Sequence, residues 1–86
     1  MQYILSKGFE KDFPKLPKKI KEKTLEALLL FMSEPTHPSL CVHALRGSWT
    51  GHCSIDIAGD TRAIYYVIEK DFVRFVAIGS HSELYG

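Results

Sequence analysis

The polar residues in the second half of this 86-residue chain are of types that a plain core would not need. They are His43, Arg46, His52, Asp56, Asp60, Arg62, His81 and Tyr85. Together they meet the demands of one reaction, the cleavage of RNA without a metal. That reaction needs a base for the proton of a 2′-hydroxyl, an acid for the departing 5′-oxygen and a cation facing the charge that develops on the phosphorane. Imidazole exchanges protons near neutral pH, so His43 and His81 can serve as base and acid. Arg62 or Arg46 can grip a phosphate through the planar guanidinium fork. Tyr85 can stack on a base or shift a proton. The inventory is chemically complete but built from common residue types, and a histidine taken singly is more often a surface or core residue than a catalyst.

A metal site is the competing use of the same region. His37, Cys41, His43, His52 and Cys53 are five possible ligands within seventeen positions. Their spacing matches no zinc signature, and adjacent residues such as His52 and Cys53 in a strand point to opposite faces. Core packing is the simpler use of the two cysteines. No Gly-rich phosphate loop, Walker-type motif or nucleophile elbow is present. Neither a metal nor a cofactor is therefore expected.

Bulk composition narrows the class further. The chain is 45% hydrophobic and 12% aromatic, enough apolar material for one real core and too much for a disordered chain. Its longest apolar run, Ala27 to Met32, is far too short to span a membrane. The opening residues lack the basic and apolar regions of a signal peptide, so two reduced thiols and a cytoplasmic location are expected. The net charge of +1 hides an asymmetry: residues 1–24 hold seven lysines against Glu10, Asp12 and Glu22, and acids outnumber bases in the remainder. Such a basic end can meet phosphates, with Lys18 and Lys19 as candidate RNA contacts beside Arg46. It can equally be the solvated face of a helix.

These side chains need elements to hold them. Tyr3–Leu5 reads as a short strand. Residues 7–16 read as a short helix with Ser6 as its cap and Phe9, Phe13 and Leu16 on one side. A second helix runs from about Pro17 to Ser33, with Ile20, Thr24, Leu28 and Phe31 as its inner stripe and Leu25, Leu29 and Met32 broadening it. Leu30 falls outside both stripes. Strands then follow at Cys41–Arg46, Trp49–Ile57, Thr61–Glu69 and Phe72–Ile78, joined by short turns that force antiparallel neighbours. Ser80 or Ser82 caps a last helical turn. The expected fold is one α+β domain over residues 1–86, with an N-terminal strand and two helices packed on one face of a mainly antiparallel four-stranded sheet.

Three blocks then carry a resemblance to a known family. His43-Ala-Leu-Arg-Gly-Ser-Trp-Thr-Gly51, Gly59-Asp-Thr-Arg-Ala-Ile-Tyr65 and Ile78-Gly-Ser-His-Ser-Glu-Leu-Tyr85 resemble the signature blocks of the YafQ branch of RelE/ParE-type toxins. The Phe9-x3-Phe13 opening is similar to the family's start as well. The resemblance covers essentially the whole chain; the closing block is its most specific part, and the Gly-Asp-x-Arg block is shared widely across the superfamily. It implies a type II toxin, an mRNA-cleaving endoribonuclease acting commonly in the ribosomal A site and silenced by a bound antitoxin protein. It further implies that catalysis involves His43, Asp60, His81 and Tyr85, with Arg62 at the phosphate. One departure stands out: a further family histidine falls on Asp56, which can act as a base but brings no positive charge. Two other outcomes would keep the fold without this activity, a ParE-like gyrase inhibitor and a catalytically degenerate binding module; an RNA-cleavage assay separates them.

Two structural expectations follow. Residues 25–32, with Leu30 outside the core stripes, together with the sheet edges, form an antitoxin surface. A three-residue loop Ala58-Gly59-Asp60, with Ile57 facing Thr61, sets Asp56 opposite Arg62 on the face away from the helices.

Overall fold

The computed structural model describes residues 1–85. The chain runs β1 (Gln2–Leu5), α1 (Lys7–Asp12), α2 (Lys18–Ser33), β2 (His43–Ala44), β3 (Cys53–Ala58), β4 (Thr61–Glu69), β5 (Phe72–Ser80) and α3 (His81–Tyr85). The expected helix over residues 7–16 is α1 followed by a 3₁₀ turn at Phe13–Lys15, because Pro14 has no N–H to carry an α-helix onward. Ser6 caps α1 as expected, its Oγ accepting from the Phe9 N–H at 3.1 Å. Pro17 is the N-cap of α2, which ends at Ser33.

The sheet is α+β in context, as expected, but has five strands in the order β1-β5-β4-β3-β2. The first strand supplies the difference: it pairs parallel to β5 through Gln2↔Phe72 to Leu5↔Phe75, and the other neighbours are antiparallel. Two expected strands are also shorter than their patterns. Cys41 takes a left-handed conformation (φ +45°) and Gly47–Trp49 forms a 3₁₀ turn, so only His43–Ala44 and Cys53–Ala58 pair. Alternation in a sequence marks a strand only where the backbone finds a partner.

Helices α1 and α2 cover one face of the sheet. Phe9, Leu28 and Phe31 meet Ile55, Ala63, Tyr65, Val73 and Phe75 in a single core. Phe31 is fully buried, with ring centroids 5.1 Å from Tyr65 and 5.3 Å from Phe75. Burial also pushes the Tyr65 phenol upward from its ordinary value. Thr24 lies in this layer with its hydroxyl donating to the Ile20 carbonyl at 2.7 Å. The inner stripe of α2 is therefore as the periodicity indicates, but Leu30 is not: it is half-buried and packs against the core. The outward apolar residues are Leu25, Leu29 and Met32, the set read as broadening the stripe, with Leu29 70% exposed.

The β3–β4 hairpin pairs Asp56 with Arg62, the expected register, by a different device. Ala58 faces Thr61 across a two-residue turn, Gly59-Asp60, and the odd residue is a bulge at Ile57. Gly59 takes the positive φ of +54°, which glycine adopts without a Cβ penalty, so Asp60 need not. In β4, Thr61, Ala63 and Tyr65 face the helices, and Arg62, Ile64 and Tyr66 face the other way.

The two sides of α2 make a direct test. Phe31→Ala is expected to lower unfolding free energy by about 3–5 kcal/mol, whereas Leu29→Ala stays within about 0.5 kcal/mol. Urea denaturation measures both, and comparable losses would contradict the packing described.

Candidate active site on the open face of the sheet

The face of the sheet away from α1 and α2 is organised in cross-strand rows. Asp56 and Arg62 lie side by side with Gly79 at one end. His43, Ser54, Ile64 and Ala77 make the next row. Ser54 and Ile64 are fully buried although Ile64 lies outside the helix-side core. This face is therefore covered at its centre, and the remaining segments, residues 45–51 and α3, supply the cover.

Between that cover and the sheet end is a cavity of about 300 Å³ lined by His43, Leu45, Arg46, Arg62, His81 and Tyr85. Five of the sequence-derived site residues thus converge. Four of them, His43, Arg62, His81 and Tyr85, are held by their own local structure. The His43 Nδ1 lies 3.0 Å from the Cys41 carbonyl oxygen. A carbonyl can only accept, so Nδ1 carries the hydrogen and the neutral ring keeps its lone pair on Nε2. That Nε2 lies 3.4 Å from the buried Ser54 hydroxyl, a long contact that an incoming group can share or replace. The left-handed turn at Cys41 aims its carbonyl at the ring. The Asp56 carboxylate beside the Cys41 thiol raises that thiol's pKa, which keeps it protonated.

Arg62 is a tied cation. Its Nε meets the Asp56 carboxylate at 2.8 Å, and one terminal nitrogen donates to the Gly59 and Thr61 carbonyls at 2.8 and 3.2 Å. Among the described residues, only the other terminal nitrogen has no partner. Arg46, by contrast, forms no ion pair or side-chain hydrogen bond among the described residues, and its side chain is exposed. Asp56, at the position of the departure from the family pattern, holds Arg62 in place.

His81 and Tyr85 come from α3, four residues apart and so on one side of it, with ring centroids 4.7 Å apart. A five-residue helix does not hold itself. Its start is a capping box: Ser80 Oγ accepts from the Glu83 N–H at 3.2 Å, and Glu83 accepts from the Ser80 N–H at 2.7 Å. Those Ser80 contacts, the backbone one foremost, draw the Glu83 pKa below its ordinary value. The His81 N–H donates to the Asp60 carbonyl at 3.0 Å, and the Trp49 indole donates to the Leu84 carbonyl at 3.0 Å.

Three of the expected site residues are placed elsewhere. The Asp60 side chain is exposed and does not line the cavity; what it brings is its carbonyl, which anchors α3. Lys18 and Lys19 begin α2, in the layer on the opposite side of the sheet, because α2 packs on the helix-side core. Ser54 and Trp49 were not singled out in advance. Trp49 stands in the first signature block, but its bond to a residue 35 positions away leaves no local pattern. Ser54 is polar on a face expected to be open, and only the tertiary cover buries it. Among the described residues no cluster of three or more His, Cys, Asp or Glu could hold a metal ion, and no helix is long and apolar enough to cross a membrane.

The arrangement defines a toxin-like α+β fold with a histidine- and arginine-lined cavity on its open face, and comparison places it. Residues 1–86 match the model of the YafQ family, bacterial toxins of type II toxin–antitoxin systems; the chain belongs to that family. E. coli YafQ is similar over 99% of this chain and 98% of its own, at 25% identity and a TM-score of 0.81. A copper-bound mutant toxin from Helicobacter pylori shares 31% identity over 98% of each chain, with a TM-score of 0.74. YafQ in the E. coli DinJ–YafQ toxin–antitoxin complex matches at 26% identity and a TM-score of 0.79, over 99% of this chain and 97% of that one. Curated protein sequences yield no match.

The clamps on α3 give two expectations. Trp49→Phe keeps an aromatic ring, though a smaller one, but loses the N–H, the lost bond costing about 1 kcal/mol and hastening amide hydrogen exchange in α3; unchanged exchange would show that the bond holds nothing. Because the folded Glu83 pKa is depressed, its capping contribution is complete above the ordinary carboxylate pKa, about 4.3, and is lost as pH falls through the lowered value. Following the Ser80 amide by NMR from neutral to acid pH should show that loss, and Glu83→Gln should remove the transition.

Proposed function

We propose that this YafQ-family toxin is an endoribonuclease that cleaves mRNA by metal-independent acid–base chemistry, acting on the ribosome. The observation carrying this reading is the convergence of two histidines, two arginines and a tyrosine on one open cavity. His43 is the base: its Nδ1–H is committed to the Cys41 carbonyl, which leaves Nε2 to take the proton from a 2′-hydroxyl. The freed oxygen attacks the adjacent phosphorus. The bond to the 5′-oxygen breaks, leaving a 2′,3′-cyclic phosphate, and His81 gives that oxygen a proton. Ser54 then accepts a hydrogen bond from protonated His43.

Charge on the phosphorane is met by two unequal cations. Arg62 offers one free terminal nitrogen from a fixed position, and Arg46 offers a whole guanidinium from the rim. The fixed group fits transition-state stabilisation, which gains from donors already in place. The mobile group fits capture of the backbone. Tyr85, held against His81, presents a ring for stacking on a base beside the scissile bond. Asp60 acts through its carbonyl.

A protein antitoxin is the partner that the DinJ–YafQ complex supports, and the exposed Leu25, Leu29 and Met32 offer it an apolar contact on the helical side.

His43→Ala and His81→Ala should each lower RNA cleavage about 10²–10⁴-fold with the fold intact, since both side chains are exposed. Cleavage of free RNA should persist in EDTA. The decisive measurement is cleavage of mRNA with and without ribosomes: no cleavage in either, or complete loss of free-RNA cleavage on chelation, overturns the mechanism.

A further inference from the structure

A third cross-strand row lies on the same open face beyond the cavity, and none of the chemistry above uses it. Tyr66 pairs with Arg74 between β4 and β5, and the His52 ring sits 5.5 Å from that of Tyr66. Trp49 closes the row from behind, edge-on to His52 at 5.3 Å. Arg74 reaches across Tyr66, its guanidinium 6.0 Å from the ring centroid and one nitrogen donating to the phenol oxygen at 3.1 Å. All four side chains are half-buried.

Arg74 meets no carboxylate among the described residues, and its parallel-strand neighbour is Ile4. A half-buried guanidinium without a carboxylate carries a desolvation cost that an incoming anion would relieve. The row joins that cation to half-buried aromatic rings in edge-to-face contact. Cation plus ring is the combination that single-stranded nucleic acid recognition uses, one for phosphate and the other for a base.

Position fits the same ligand. Tyr66 stands four residues from Arg62 along β4 on the same face, about 13 Å at a strand's rise. A strand of RNA whose scissile phosphate lies at Arg62 must continue over the surface, and this row is a cationic, aromatic stretch of that face.

We propose that His52, Tyr66 and Arg74 form a second RNA subsite, which holds a nucleotide flanking the one in the cavity. Arg74 binds its phosphate and the His52–Tyr66 rings its base. This rests on the ribonuclease reading, but its test is separable. The probe is a fluorescent octaribonucleotide made uncleavable by 2′-O-methylation, with binding followed by anisotropy across a salt series. Arg74→Gln should weaken binding about 5- to 10-fold and lower the salt slope by about 0.7, the share of one single-strand phosphate contact. Tyr66→Leu should weaken it by about 5- to 100-fold, the worth of one stacked base. Cleavage of a ribodinucleotide, which fills only the cavity, should be unchanged in both. Wild-type NMR needs no variant: the Tyr66 and Arg74 amides should shift with the octamer and stay fixed with a dinucleotide. Unmoved amides, or an unchanged affinity and salt slope in folded Arg74→Gln, overturn the subsite. Absence of octamer binding by the wild-type protein, together with no mRNA cleavage either with or without ribosomes, would instead overturn the ribonuclease reading.

Discussion

The rest of this molecule depends on a parity constraint in the β3–β4 hairpin. Side chains alternate along a strand, so the single extra residue at Ile57 determines which face of the sheet receives everything beyond it. With the bulge, Asp56 lies opposite Arg62 away from the helices. Without it, the same Gly59-Asp60 turn would set Ile57 opposite Arg62, pairing an apolar side chain with the guanidinium on one face. The helix-side core of Ile55, Ala63 and Tyr65 and the polar rows of the other face both follow from this one register.

The same pairing divides the work of two arginines. A carboxylate at position 56 subtracts charge from the cavity, which by itself disfavours phosphate. It also fixes a guanidinium whose other donors are already bound to the Gly59 and Thr61 carbonyls. A donor fixed in advance needs no reorganisation when charge develops, so some attraction is exchanged for placement. In the mechanism proposed, Arg46, exposed and without an ion pair among the described residues, restores the attraction. The aspartate that departs from the family pattern thus has a structural use.

How much could be read in advance follows from the range of the interactions. The inner stripe of α2, the Ser6 cap and the helical turn after Ser80 are local, and the sequence shows them directly. The Asp56–Arg62 partnership was legible because placing a guanidinium under the helices would be costly, although the bulge achieving it was not: Gly59 suits either loop length. The truncation of two strands was hidden, since the left-handed Cys41 and the 3₁₀ turn before Trp49 interrupt segments whose alternation is intact. Leu30 was misassigned because periodicity locates a helix face but not the width of the layer beneath it. Asp60 shows a further limit. Its carbonyl anchors α3, and a contact made through the backbone leaves no side-chain signature.

Trp49 shows how these levels join. Its indole N–H holds the Leu84 carbonyl, and its ring backs the His52–Tyr66–Arg74 row. Helix α3 is too short to persist alone, so His81 and Tyr85 keep their geometry only while Ser80, Asp60 and Trp49 hold its two ends. Two of those holds come from the turns flanking β3, at Trp49 before it and Asp60 after it. The strand whose Ser54 meets His43 and whose Asp56 holds Arg62 therefore also sets where the closing helix can lie. His43, Arg62 and His81 come from three separate segments, yet one strand and its bulge fix the position of all three.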